Sequence, residues 1–226
     1  MCTNYRPGSR DFLRERFGAD PPFEYPAEAY PAAMVPIIRA VGATEVGKHV
    51  DCARASFGLI PHWATDAKIA RSTYNARAET VAEKPSFRRA WRQAQFCLVP
   101  MVAFYEPNYD SGRPVRWRIE RRDGREFAVA GIWEQWAAPG AQPMLSFSML
   151  TVNADANALM RQFHAPGDEK RSLVVVDPGQ YEGWLHADGT SARAMLGGLP
   201  AQEFVGQPDP RTGRRRSGAT ATGSLL

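Results

Sequence analysis

The chain has 226 residues, enough for one large domain or two small ones, and its 44% hydrophobic and 23% charged residues fit a folded protein with a genuine core. No apolar run approaches the roughly 20 residues of a membrane-spanning helix, and no basic segment followed by an apolar one opens the chain, so neither an anchor nor a secretory signal is expected. The net charge is +4, but the last twenty residues hold four Arg against one Asp, which leaves the rest close to neutral and restricts any polyanion surface to a local patch.

Residues 10–18, RDFLRERFG, predict a short helix ended by Gly18 with Phe12, Leu13 and Phe17 on one face. The proline-rich residues 19–36 predict an extended wrapping loop. A basic stretch at 71–92 sets Arg71, Arg77, Lys84, Arg88, Arg89 and Arg92 against Glu79 and Glu83. Taken alone it reads as a solvated face. FCLVPMVAFYE, MLSFSMLTVNA and SLVVVD predict buried strands. Residues 115–136 predict a hairpin: Val115, Trp117 and Ile119 alternate with Arg, Asp123-Gly124 marks a turn, and Phe127 and Val129 resume the alternation. A helix capped by Asn153 or Asp155 is expected to carry Leu159, Met160 and Phe163 toward His164, and another to span GQYEGWLHA. Many strands with few, separated helices predict an α+β domain on a mixed, largely antiparallel sheet. Residues 1–206 are expected to form this domain and 207–226 a disordered Arg-rich tail.

Three cysteines, Cys2, Cys52 and Cys97, show no CxxC and no Cys/His spacing suited to zinc. They predict free thiols in a reducing, cytoplasmic setting, with no metal or cofactor. Cys97 sits in a strand-like run and reads, like Cys52, as a core residue. Cys2 differs. With Met1 removed, it becomes a 1,2-aminothiol, whose amine has an ordinary pKa of about 7.7–8.0 and whose thiol titrates near 8.5. Such a pair closes onto an aldehyde as a thiazolidine, which an internal cysteine does not do. The plain alternative is an incidental cysteine at a frayed end. Asn75 suits orienting an amine or thiol. Arg77 suits a bidentate phosphate contact. Glu106 follows an apolar strand, where partial burial fits a carboxyl for acid/base work. His164 follows the expected helix, and its ordinary pKa suits proton transfer. Each has a bland alternative as a surface or structural residue.

The order of the motifs is more specific. MC at the start, GLIPHWA at 58–64, NARAET at 75–80, CLVP and FYE within 97–106, AGIWEQW at 130–136 and TVNADANALMRQFH at 151–164 resemble the SRAP (SOS response-associated peptidase) family of abasic-site processing proteins. The resemblance covers about residues 2–186. It implies one domain with a β-rich, barrel-like core flanked by helices, and a positively charged cleft for single-stranded DNA containing abasic sites. It implies Cys2 as nucleophile, Asn75 as its orienting residue, and Glu106 and His164 as proton carriers. Trp63 and Arg77 would line the DNA channel, Arg88 and Arg89 would contact phosphates, and Arg171, in place of a family arginine, would also bind DNA. Thr3-Asn4, Phe57, Pro107 and the charged loop APGDEKRS depart from the family pattern. The implied activity is a covalent thiazolidine crosslink to the lesion by a cytoplasmic monomer, nucleoid-associated when bound to DNA. Removal of its own Met1 is a further expectation. The alternatives are a thiol peptidase using Cys2, and a non-enzymatic single-stranded DNA-binding module.

Overall fold

The structure is a computed structural model, and it describes residues 2–44 and 47–211. The chain opens with a strand, β1 (Asn4–Pro7), and a helix, α1 (Arg10–Phe17). The Ser9 hydroxyl accepts the Phe12 amide at the start of that helix, and Gly18 ends it in the left-handed conformation at φ 62°. Leu13 is fully buried, and Phe17 stacks on Tyr181. Two long strands follow, β2 (Met34–Thr44) and β3 (Gly47–Phe57), paired antiparallel. Then come β4 (Asn75–Arg77), α2 (Arg88–Arg92) and the longest strand, β5 (Phe96–Asn108). The remaining elements are β6 (Val115–Arg121), β7 (Phe127–Trp136), β8 (Met144–Asn153), β9 (Arg171–Leu173), β10 (Val175–Val176), α3 (Tyr181–Leu185), α4 (Gly189–Ala194) and β11 (Phe204–Pro208).

The strands form one sheet in the order β10-β7-β8-β3-β2-β5-β6-β11, and an additional pairing of β5 with β7 closes its middle into a ring. Pairing is antiparallel except where β8 runs parallel to β3 and to β4. The fold is therefore α+β, dominated by a largely antiparallel sheet with few helices. Alternate residues of β5 serve two cores. Cys97, Val99 and Met101 join Tyr5, Phe57 and Phe147 on one side. Phe96 and Leu98 join Leu13, Trp91 and Trp184 from the helices on the other. A strand covered on both faces reads as a continuous apolar run, which is why β5 stands out in the sequence. No helix among the described residues is long and apolar enough to cross a membrane.

Several expectations need correction. The segment 115–136 is not a hairpin. β6 and β7 pair in succession along β5, Val115–Ile119 opposite Asn108–Phe104 and Phe127–Ile132 opposite Met101–Phe96. The Asp123-Gly124 turn therefore links two strands running the same way. The helix expected after Asn153 is only a 3-10 turn at Met160–Gln162, and the side chain that accepts the Leu159 and Met160 amides is Asn157. The loop expected at 19–36 gives way to β2 from Met34. The expected boundary after residue 206 falls inside β11, which pairs with β6 through Pro208. The expected tail beyond residue 211 lies outside the described residues.

Gly58 fixes the exit from β3 toward the loop that carries Trp63. Its φ is +116°, and an added Cβ would sit 2.1 Å from the Ala70 carbonyl oxygen. Gly58→Ala is expected to cost at least about 3 kcal/mol, from backbone strain plus the clash, read as a shift of the urea midpoint. Wild-type stability in this variant would contradict the close approach.

Candidate active site

β1 carries Cys2 into the interior rather than leaving it at a frayed end. Asn4 and Tyr5 pair with Tyr105 and Phe104 of β5. The Asn4 carboxamide is used on both sides: its Nδ2 donates to the Ala29 carbonyl at 3.2 Å, and its Oδ1 accepts from Arg116 Nη2 at 2.9 Å. Arg116 also pairs with Glu28 at 2.8 Å and lies over the Tyr105 ring. These contacts clamp β1, and Cys2 is only 1% exposed.

The other expected residues arrive from separate elements. β4 is held parallel to β8 with Asn75 opposite Met149, and this presents the Asn75 side chain to the N-terminal strand. Asn75 Nδ2 donates to the Cys2 carbonyl at 2.8 Å. Asn75 Oδ1 is buried and has no hydrogen-bond partner among the described residues. Glu106, near the end of β5, is 3% exposed. His164 is reached through the 3-10 turn, and Asn108 on β5 pins that turn by donating to the Gln162 carbonyl at 3.1 Å. The His164 amide donates to the Pro107 carbonyl at 3.0 Å. His164 is buried at φ +68°, a left-handed conformation that a non-glycine residue adopts at a cost in strain, as functional residues often do. Its Nε2 lies 3.4 Å from Glu106 Oε2, within ion-pair range but short of good hydrogen-bond geometry.

Burial sets the protonation states. It pushes the Cys2 thiol up to about 12, and the neighbouring Glu106 charge pushes the same way. Burial lifts the Glu106 carboxyl to about 7 and lowers the His164 imidazole to about 4. The resting site thus holds a protonated thiol, a carboxyl near its midpoint at neutral pH, and a neutral imidazole. The thiol thus lies far above its ordinary value of about 8.5. Tyr74 feels both groups: burial raises its phenol, followed by the charges of Cys2 and Glu106.

The basic and aromatic residues divide. Asn75 and Arg77 line a cleft of about 330 Å³ with Lys84, Pro85 and Phe87. Trp63 is half exposed beside it, its Nε1 donating to the Pro85 carbonyl at 3.3 Å. Arg77 is about half exposed and paired with Glu169 at 2.9 Å. Arg88 is exposed on α2, and Arg89 is tied to the buried Glu134. Arg171 does not fit the expected DNA contact. It is 3% exposed, and its guanidinium is engaged by Glu79, Glu169 and the Thr151 carbonyl. A larger hollow of about 920 Å³, between α1 and the turn at 121–126, contains none of the expected residues. Among the described residues, no group of three or more His, Cys, Asp or Glu is placed to hold a metal ion. Sequence reasoning missed Asn4, Asn108, Tyr74, Arg116 and Glu169, whose roles depend on partners far along the chain.

A ring of strands that buries an N-terminal cysteine against an amide and a carboxyl–imidazole pair defines a class of cysteine-centred β-rich proteins. The chain belongs to the SOS response associated peptidase (SRAP) family, whose model matches residues 1–208. It is 31% identical over 193 residues to the abasic site processing protein YoqW of Bacillus subtilis, covering 84% of this chain and 82% of that one. It is 30% identical to the abasic site processing protein YobE of the same organism, covering 84% of each. A solved structure from Bordetella bronchiseptica is 34% identical, with a TM-score of 0.84 over 93% of this chain and all of that chain. One from Bacteroides thetaiotaomicron, at 20% identity and TM-score 0.73, shares the fold.

The two buried titrating groups act on stability in opposite senses. The Glu106 pKa is raised from 4.5 to about 7, so its contribution is fully present below pH 4.5 and is lost as pH rises toward 7. The His164 pKa is lowered from 6.5 to about 4, so its contribution is present above pH 6.5 and is lost as pH falls toward 4. His164→Asn, which tolerates the left-handed backbone, is expected to unmask Glu106: stability should fall as pH rises from 5 to 7, by up to about 1.4 kcal/mol per unit. Glu106→Gln should show the converse, losing stability on acidification. Urea titrations at both pH values check this. Variants that keep the wild-type pH dependence would contradict the assigned states.

Proposed function

We propose that this protein processes abasic sites in single-stranded DNA, capturing the open-chain aldehyde as a thiazolidine through Cys2 after removal of Met1. Met1 lies outside the described residues, and its removal is part of the proposal. The observation that carries the reading is the convergence of Cys2, Asn75, Glu106 and His164, from four distant parts of the sequence, in one buried site beside a cleft. The names of the relatives support the substrate class.

In this mechanism the Glu106 carboxyl, with a pKa near 7, gives and takes the protons that open the cyclic hemiacetal to the aldehyde. The neutral α-amine of Cys2 adds to C1′ and forms the C–N bond. Asn75 Oδ1, a buried acceptor without a partner among the described residues, receives a hydrogen bond from that amine and orients its lone pair. The carbinolamine hydroxyl takes a proton from Glu106 and leaves as water, which yields an iminium. The Cys2 thiol then adds to the same carbon and passes its proton through the Glu106–His164 pair, closing the ring. One water is released per thiazolidine, and no oxidant or reductant is consumed.

The thiol's high pKa favours this order. A thiol peptidase depends on a resting thiolate beside an imidazole. Here burial keeps the thiol protonated, and the His164 Nε2 faces Glu106. Attack by the amine needs no thiolate at the start. Trp63 suits stacking on a base, and Arg77, Arg88 and Arg89 suit the phosphates of a strand bound to a monomer.

Incubation with abasic single-stranded DNA should give a denaturation-resistant adduct with wild type. Cys2→Ala retains an amine but lacks the sulfur, so it should give almost no stable adduct, yet borohydride should trap its imine. A peptidase or a simple binding module predicts no reducible adduct with either protein. Equal stable adduct from both, without reductant, would remove the sulfur from the mechanism. Intact mass should show active protein lacking Met1, since a peptide nitrogen does not form the imine.

A further inference from the structure

The loop at 165–170, between His164 and β9, brings a carboxylate to the rim of the cleft. Glu169 Oε2 lies 2.9 Å from Arg77 Nη1, and its Oε1 lies 2.7 Å from Arg171 Nη1. The two arginines are not equivalent. Arg171 is buried and keeps Glu79 and the Thr151 carbonyl whatever Glu169 does. Arg77 is 52% exposed, and its ionic partner among the described residues is Glu169. Glu169 therefore has one fixed partner and one that a competing anion can take.

The carboxylate is held in position from behind. Lys170 Nζ donates to the His164 and Ala165 carbonyls at 3.3 and 3.0 Å, and Asn153 Nδ2 donates to Glu169 Oε1 at 3.2 Å. A carboxylate facing a guanidinium occupies the position a phosphate oxygen takes in a charge-assisted contact. Arg77 stands two residues along β4 from Asn75, and both line the same cleft.

We infer that Glu169 is a specificity-determining residue that occupies Arg77 in place of a nucleic-acid phosphate, so that a bound strand gains this contact only by displacing it. The inference rests on the proposed role of Arg77 as a phosphate contact. Its consequence is selectivity. Undamaged single strands, held only by ionic contacts, lose part of their affinity to the resident carboxylate. An abasic strand is held by a covalent bond, which is insensitive to that competition.

The test is fluorescence anisotropy at fixed low salt with a labelled undamaged oligothymidylate and five proteins: wild type, Glu169→Gln, Arg77→Ala, the double variant, and Glu15→Gln. Glutamine keeps the size of Glu169 and its ability to accept from Arg171. Glu15 is exposed on α1, away from the cleft, so its variant controls for the change in net charge. Glu169→Gln should bind about 2- to 5-fold more tightly than wild type, the upper range of one partly exposed ion pair. Glu15→Gln should differ from wild type by less than about twofold, because its exposed carboxylate lies on α1 away from the cleft. Arg77→Ala should weaken binding, and the double variant should match it. Equal effects of Glu169→Gln and Glu15→Gln would overturn the inference, as would a gain that persists in the Arg77→Ala background. Wild-type binding by Arg77→Ala would overturn the phosphate role of Arg77 and the inference with it, while leaving the thiazolidine chemistry standing. Absence of binding by every protein would overturn the single-stranded DNA reading as well.

Discussion

The hydrogen bond from Asn75 to the Cys2 carbonyl is the contact on which the site depends. A chain end tends to fray, because half its neighbours are missing. Here the first strand is held along one side by β5, clamped by Asn4 and Arg116, and fixed at its tip by Asn75. Asn75 is itself rigid because its strand is bonded in register to β8. Cys2 thereby becomes part of the core, placed where water is scarce.

That placement governs the electrostatics. In low-dielectric surroundings charged forms are disfavoured, so the thiol holds its proton, the carboxyl is about half protonated at neutral pH and the imidazole stays neutral. Burial is the largest cause of all three shifts, and it leaves the carboxyl as the group that titrates near neutral pH. A carboxyl near its midpoint at neutral pH is suited to both donating and accepting a proton within one cycle. The strained backbone of His164, braced through Pro107, Asn108 and Lys170, is the structural cost of bringing an imidazole onto that carboxyl.

Features with local causes were legible in the sequence. The Gly18 stop marks the end of α1 by itself, and β5 announces burial on both faces by an unbroken apolar run. The β2–β3 pair was missed because Pro36 and apolar residues on both faces, such as Ile37 and Ile38, hide the alternation. The segment 115–136 alternates as strands do, but partner choice is set by β5, about which the Asp123-Gly124 turn says nothing. The candidate catalytic residues were visible as residue types in a resembling order. Their convergence was not, since it follows from strand pairings between distant segments. Arg171 illustrates the limit well: an arginine in a charged loop looks solvent-facing until Glu79, ninety-two residues away, is found beside it.

The central claim is that burial holds the Glu106 carboxyl in reserve as an acid at neutral pH. A carbon-13 NMR titration of that carboxyl, assigned by comparison with Glu106→Gln, measures it directly. The account predicts a midpoint near 7, well above the ordinary carboxylate range. A midpoint near 4 would mean that the site is charged and hydrated at rest, and would contradict it.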